Sequence, residues 1–137
     1  MTKEVLQKDL VDCFKRRGML YTRLRTPGNR CRGVRYPADF VLWGEYATWL
    51  IECKQRKDLP LEPSDIRQMP FMKEWVECAY IPTAKYCILV YSPEGYSLFT
   101  YRQAVSAHRA HKGLTKSMAV YTTQTLNELL DKMEEIR

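Results

Sequence analysis

The stretch that most constrains the fold is "ATWLIECKQRKDLPL", residues 47–61. Its first part is apolar enough for an interior β-strand, yet it carries Glu52 and Lys54. Side chains alternate across a strand. Leu50, Glu52 and Lys54 therefore share one face, and Trp49, Ile51 and Cys53 share the other. Just upstream, "ADFVLWG" reads as a second strand, with a turn at Gly44-Glu45 between the two. Asp39 leads that upstream strand, with Val41 and Trp43 on its face. Pairing the two as a hairpin brings Asp39 near the end of the partner that carries Glu52 and Lys54. Two carboxylates and an ammonium then converge at one strand end.

That grouping has a chemical use. Hard divalent cations such as Mg2+ take oxygen ligands, and Asp39 and Glu52 supply two. The carbonyl of Cys53, lying between the charged pair, can add a third. A lysine beside such a cation orients or deprotonates an attacking water, or stabilises charge growing on a phosphate. The expected cofactor is Mg2+, with Mn2+ able to substitute. The plainer alternative is a partly buried Glu52–Lys54 ion pair, because E-x-K alone is a short motif.

The rest of the chain frames this hairpin. Val5, Leu6, Leu10, Cys13 and Phe14 recur at helical spacing over residues 3–17, and Gly18 ends that helix. "MLYTRLR" reads as a short strand, and "TPGNRCRGVRYP" as a basic loop rich in turn formers. Ser64 caps a helix expected from Asp65 to Tyr80, with Pro70 breaking or kinking it. "KYCILVY", the turn "SPEG" and "YSLFTY" form another hairpin. A helix is expected over residues 102–111, and an amphipathic one through Leu126, Leu129, Leu130, Met133 and Ile136. The order predicts an α/β fold with a mixed β-sheet flanked by helices. At 137 residues, one domain spanning 1–137 is expected.

Cysteine, charge and hydropathy narrow the function. The 5 cysteines show no C-x-x-C pair, which argues against a zinc site or a disulfide framework. His108 and His111 read as a solvated basic face. No apolar run reaches membrane-spanning length, and "MTKEVLQKDL" has no apolar signal core. A cytoplasmic protein of a prokaryotic or phage-infected cell, with no membrane partner, is expected. From Cys13 to Ala38 the sequence has no Asp or Glu, but it has Lys15, Arg16, Arg17, Arg23, Arg25, Arg30, Arg32 and Arg35. A second acid-free window, Gly95 to Asn127, holds Arg102, Arg109, Lys112 and Lys116. Such segregation suits a phosphate backbone, and arginine suits bidentate phosphate contacts.

"PADF" followed by "IECK" resembles the PD-(D/E)xK nuclease superfamily, with Asp39, Glu52 and Lys54 at the motif positions. The proline is displaced, since Ala38 separates Pro37 from Asp39. "LPLEPSDIRQMPFM" resembles the matching stretch of RecU-type Holliday-junction resolvases, and there Gln68 is the counterpart of a glutamine that opens the next helix. The short first helix, the following strand and the basic loop also resemble archaeal Hjc-type resolvases and the small VRR-NUC nucleases. The likeness covers residues 4–75. It implies a restriction-endonuclease-like domain and a metal-dependent phosphodiesterase acting on DNA. It also implies a metal-proximal residue on the first helix, with Glu4 as candidate and Gln7 and Asp9 as alternatives.

On that resemblance, the catalytic set is Asp39, Glu52, Lys54 and Gln68, with Gln68 holding the water or a phosphate. Arg30, Arg32 and Arg35 would clamp the backbone beside the scissile bond. Arg23 and Arg25, with Arg56 and Lys57 on the loop after the motif, complete the expected DNA contacts. No sequence-reading module is evident, so recognition of DNA shape is expected. A four-way junction is two-fold symmetric, and a homodimer supplies two active sites with that symmetry. A Holliday-junction resolvase is therefore the leading expectation. A VRR-NUC-type nuclease acting on flaps or replication intermediates, or a non-catalytic nucleic-acid-binding module, are the alternatives.

Overall fold

A computed structural model of the protein describes residues 3–24, 38–44, 47–57, 61–62 and 84–135. The expected helix from Asp65 to Tyr80, and the loop holding Arg25, Arg30, Arg32 and Arg35, lie outside the described residues.

The first helix, α1 (Lys3–Arg16), forms where Leu6, Leu10, Cys13 and Phe14 recur on one face, and all four are buried. It stops at Gly18, whose φ of 66° is the left-handed conformation that a side chain resists. The Met19 N–H then donates to the Phe14 carbonyl at 2.9 Å, closing a Schellman-type end. This turns the chain into β1 (Leu20–Arg23), followed by β2 (Phe40–Trp43) and β3 (Thr48–Gln55). Next come β4 (Ala84–Ser92), β5 (Gly95–Thr100), α2 (Tyr101–Arg109), a 3-10 turn (Lys116–Met118), β6 (Tyr121–Thr123) and α3 (Leu126–Glu134).

The strands form one sheet in the order β1-β2-β3-β4-β5-β6. Every neighbouring pair is antiparallel except β3 and β4, which are parallel. A parallel pair needs a crossover rather than a hairpin, and the connection from β3 to β4 is the longest between strands. The two strands that are central in the sheet are thus the motif strand and its parallel neighbour.

Two apolar layers sandwich the sheet. On one face, Leu6, Leu10 and Phe14 of α1 and Leu129, Leu130 and Met133 of α3 pack on Ile51, Cys53, Cys87, Leu89 and Leu98. Arg17 ties the two helices together, 2.6 Å from Asp131 Oδ1 and 3.1 Å from Glu134 Oε2. On the other face, Ala104 and Ala107 of α2 join Val41, Leu50, Tyr86, Ile88, Val90 and Phe99. The alternation expected for β3 is observed: Trp49, Ile51 and Cys53 point to the α1 side and Leu50 to the α2 side. Glu52 and Lys54 follow Leu50 on the α2 side by the period of the strand.

Candidate active site

The hairpin register places Phe40 opposite Ile51 and Trp43 opposite Thr48. Asp39 immediately precedes Phe40, at the end of this register. Asp39 is stitched in from both sides. Its N–H donates to the Ile51 carbonyl at 3.0 Å, and its carbonyl accepts from the Leu24 N–H at 2.9 Å. Its carboxylate oxygen Oδ2 accepts from the Cys53 N–H at 2.8 Å. The side chain therefore replaces the main-chain partner that β2 no longer offers β3 at this point. That bond fixes the carboxylate beside the residue between Glu52 and Lys54.

A residue's N–H and C=O lie on the same side of a strand. Because the Cys53 N–H faces Asp39, the Cys53 carbonyl also faces the β2 side. Its thiol is buried in the opposite layer. The Asp39 carboxylate and the Cys53 main chain thereby meet next to Glu52, and carboxylate oxygens are hard donors of the kind Mg2+ takes.

Burial gives this group its cost and its meaning. Asp39 is 0% and Glu52 1% exposed. Burying a carboxylate is expensive unless charge and hydrogen bonds compensate it. Lys54 supplies part of the compensation, with Nζ 3.6 Å from Glu52 Oε1 and a side chain only 11% exposed. The Glu52–Lys54 pair expected as the plainer alternative is thus present, and Asp39 is gathered into the same site.

Tyr86 closes the β4 side, and no sequence motif singles it out. It pairs with Leu50 and is buried. Its phenol is held well above its ordinary ionisation range by burial first, then by the negative charges of Glu52 and Asp39. Among the described residues its hydroxyl has no hydrogen-bond partner. Tyr101, at the start of α2, covers it with ring centroids 6.4 Å apart.

The first helix offers three candidates, and they diverge. Gln7 is buried and accepts a hydrogen bond from Arg23 at 2.9 Å. This places the N-terminal part of α1 at the sheet end where β1 finishes and Asp39 begins. Asp9 lines a cleft with Asp12, Arg16, Tyr96, Gln124 and Thr125, beside β5 and the start of α3. Glu4 lies in the first turn of α1, and its side chain is outside the described set.

Among the expected DNA contacts, Arg23 is half-buried, with its guanidinium 5.7 Å from the Phe40 ring centroid. Its described contacts thus serve the packing between β1, β2 and α1. Arg56 donates through its N–H to the Tyr91 carbonyl at 2.9 Å and through its guanidinium to the Gln55 carbonyl at 2.8 Å. Lys57 is exposed. Gln68 and the loop arginines Arg25, Arg30, Arg32 and Arg35 lie outside the described residues. Among the described residues no three His, Cys, Asp or Glu side chains form a ready metal cluster. No helix there is long and apolar enough to cross a membrane.

A mixed sheet with helices on both faces, and an acid-acid-lysine trio where its central strand ends, define a restriction-endonuclease-like α/β fold. Neither a protein-family model nor a curated protein sequence matches the chain. Among solved structures, it is similar to a 1.6 Å structure of Archaeoglobus fulgidus Hjc, described as a Holliday junction resolvase from an archaeal hyperthermophile. The TM-score is 0.56 at 19% identity, over 93% of this chain and 97% of that one. At that identity the likeness is one of fold, and it spans nearly the whole of both chains.

Proposed function

We propose that the protein is a metal-dependent, structure-selective DNA endonuclease, with four-way junctions as its preferred substrate. The observation that carries this reading is the Asp39 carboxylate bonded to the Cys53 N–H, which gathers Asp39, Glu52 and Lys54 at one buried strand end. The donor set fits Mg2+, with Mn2+ as a substitute: Asp39, Glu52 and the Cys53 carbonyl would hold the ion. When bound, it would lower the pKa of a water and neutralise charge on the phosphate.

The residues do the rest. The Cys53 N–H keeps Asp39 from rotating away, so its second oxygen is presented to the site. Glu52 is held by Lys54, whose ammonium would orient the attacking water or stabilise the pentacovalent phosphate. Gln68 would hold that water or a phosphate oxygen. Arg25, Arg30, Arg32 and Arg35, with Lys57, would carry the flanking backbone. The choice of a junction over plain duplex is supported by the Hjc-like fold and by the absence of a sequence-reading module among the described residues. Symmetric cleavage requires two such sites, and therefore a homodimer.

The test is incubation with a labelled four-way junction, a flap and a linear duplex of matched sequence, with Mg2+ and with EDTA. Paired, Mg2+-dependent nicks confined to the junction are expected. Equal cutting of flap or duplex would move the assignment to a flap or replication-intermediate nuclease. Binding without cutting on any substrate would leave a nucleic-acid-binding module.

A further inference from the structure

The basic residues of the second acid-free window, Gly95 to Asn127, have no part in the site described above. Within it His108, Arg109, His111, Lys112 and Lys116 are all exposed. Three anchors fix where they stand. Ala104 and Ala107 seat α2 on Leu50, Tyr86 and Val90, on the sheet face that carries Glu52 and Lys54. Leu61 and Leu114 exchange two main-chain hydrogen bonds at 2.9 and 2.8 Å, fastening the segment after α2 to the chain that leaves β3. Lys116 Nζ lies 3.2 Å from Glu94 Oε2, in the turn between β4 and β5. Since Gln55 pairs with Tyr91, that turn is at the same sheet end at which β3 finishes.

Basic residues in the last turn of a helix complement its dipole. This accounts for His108 and Arg109, but not for Lys112 and Lys116, which lie beyond the helix. Glu62 and Glu94 are the acids at the margin of the segment. The Lys116–Glu94 pair is solvent-exposed, so it contributes little and yields readily to a stronger anion.

We propose that Arg109, Lys112 and Lys116 form a phosphate-binding ridge that holds a duplex arm of DNA beside the strand end carrying Asp39, Glu52 and Lys54. The inference rests on the nuclease reading for its partner. The distances allow it: a domain of this size has a radius of gyration of about 14 Å, and one turn of duplex spans about 34 Å. A single arm can therefore touch both the ridge and the site.

The experiment is the salt dependence of junction binding in EDTA, for the wild type and for the double variant Arg109→Ala/Lys112→Ala. Every phosphate that is no longer neutralised should reduce the slope of log K against log salt by about 0.9, so the double variant should lose about 2. Arg102→Ala, exposed at the opposite end of α2, should leave the slope unchanged. Circular dichroism checks that each variant is folded. An unchanged slope in the double variant, or an equal loss in Arg102→Ala, overturns the ridge. Mg2+-dependent cleavage is scored on the same preparations. A wild type that cuts while the double variant keeps its slope defeats the ridge alone. A wild type with a ridge-dependent slope that never cuts defeats the nuclease reading alone. A wild type that binds no DNA defeats both.

Discussion

At the scale of single residues, the site divides into groups that hold and groups that are held. Asp39 is clamped by main-chain bonds on both sides and by the Cys53 N–H, so its amide isostere keeps the same place. Asp39→Asn and Glu52→Gln should therefore fold and bind junction DNA nearly as the wild type does, while cleavage falls by at least about 100-fold, as expected when a group that stabilises transition-state charge is removed. Single-turnover cleavage beside a binding titration checks this, and either variant cutting at the wild-type rate would remove that carboxylate from the site. Tyr86 makes a different prediction. Its buried hydroxyl has no hydrogen-bond partner among the described residues, and such a group costs about 1 kcal/mol or more. Tyr86→Phe should raise stability at neutral pH by about 1 kcal/mol in urea denaturation. A decrease of similar size would mean that the hydroxyl is satisfied in solution. Asp39, Glu52 and Lys54 were legible in the sequence because alternation along a strand and pairing across a tight turn are local rules. Tyr86 was not, because it reaches the carboxylates only through the parallel pairing of β3 with β4, which no local pattern encodes.

At the scale of elements, periodicity carried most of the reading. The apolar positions of α1 and α3 recur at helical spacing, and the structure buries Leu6, Leu10, Cys13, Phe14, Leu126, Leu129, Leu130 and Met133. Val5, expected on the same face of α1, is instead exposed, because it sits in the first turn, off the stripe that meets the sheet. The second helix, expected over residues 102–111, begins at Tyr101 because Thr100 and Gln103 form a reciprocal capping box. The short strand β6 was not legible. Three residues show no usable alternation, and Tyr121–Thr123 is a strand because β5 offers it an edge. Gly95 governs that edge. It starts β5 with φ 123°, and a Cβ there would lie 2.4 Å from the Thr123 carbonyl oxygen. Gly95→Ala should therefore combine backbone strain with a clash against main chain that cannot move aside without leaving the sheet. A destabilisation of about 2 kcal/mol is expected, with faster hydrogen exchange in β6 than in β3. Wild-type stability would show that the turn relaxes at no cost.

For the whole molecule, the sheet divides the interior into two layers of different character. The α1–α3 side is mostly apolar, with Gln7 hydrogen-bonded to Arg23, whereas the α2 side carries the buried carboxylates and Tyr86. This sets an alkaline limit on the fold. Burial raises the Tyr86 phenol from its ordinary 10.0, with Glu52 and Asp39 adding to the effect. Burial likewise raises the Cys87 thiol from 9.0. Below about pH 8 both groups are neutral in the folded and the unfolded chain, and neither makes stability depend on pH. Above their ordinary values the unfolded chain loses these protons and the folded one keeps them. Stability must then fall as pH rises, by up to about 1.4 kcal/mol per pH unit for each group. Urea denaturation at pH 8, 10 and 11 should show that fall in the wild type. In Tyr86→Phe the fall should be shallower above pH 10, so that the gap between variant and wild type widens by about 1.4 kcal/mol per unit. A gap that stays constant with pH would mean that the phenol ionises as readily in the folded protein as in the unfolded chain. Tyr86 would then not be sealed against Asp39 and Glu52.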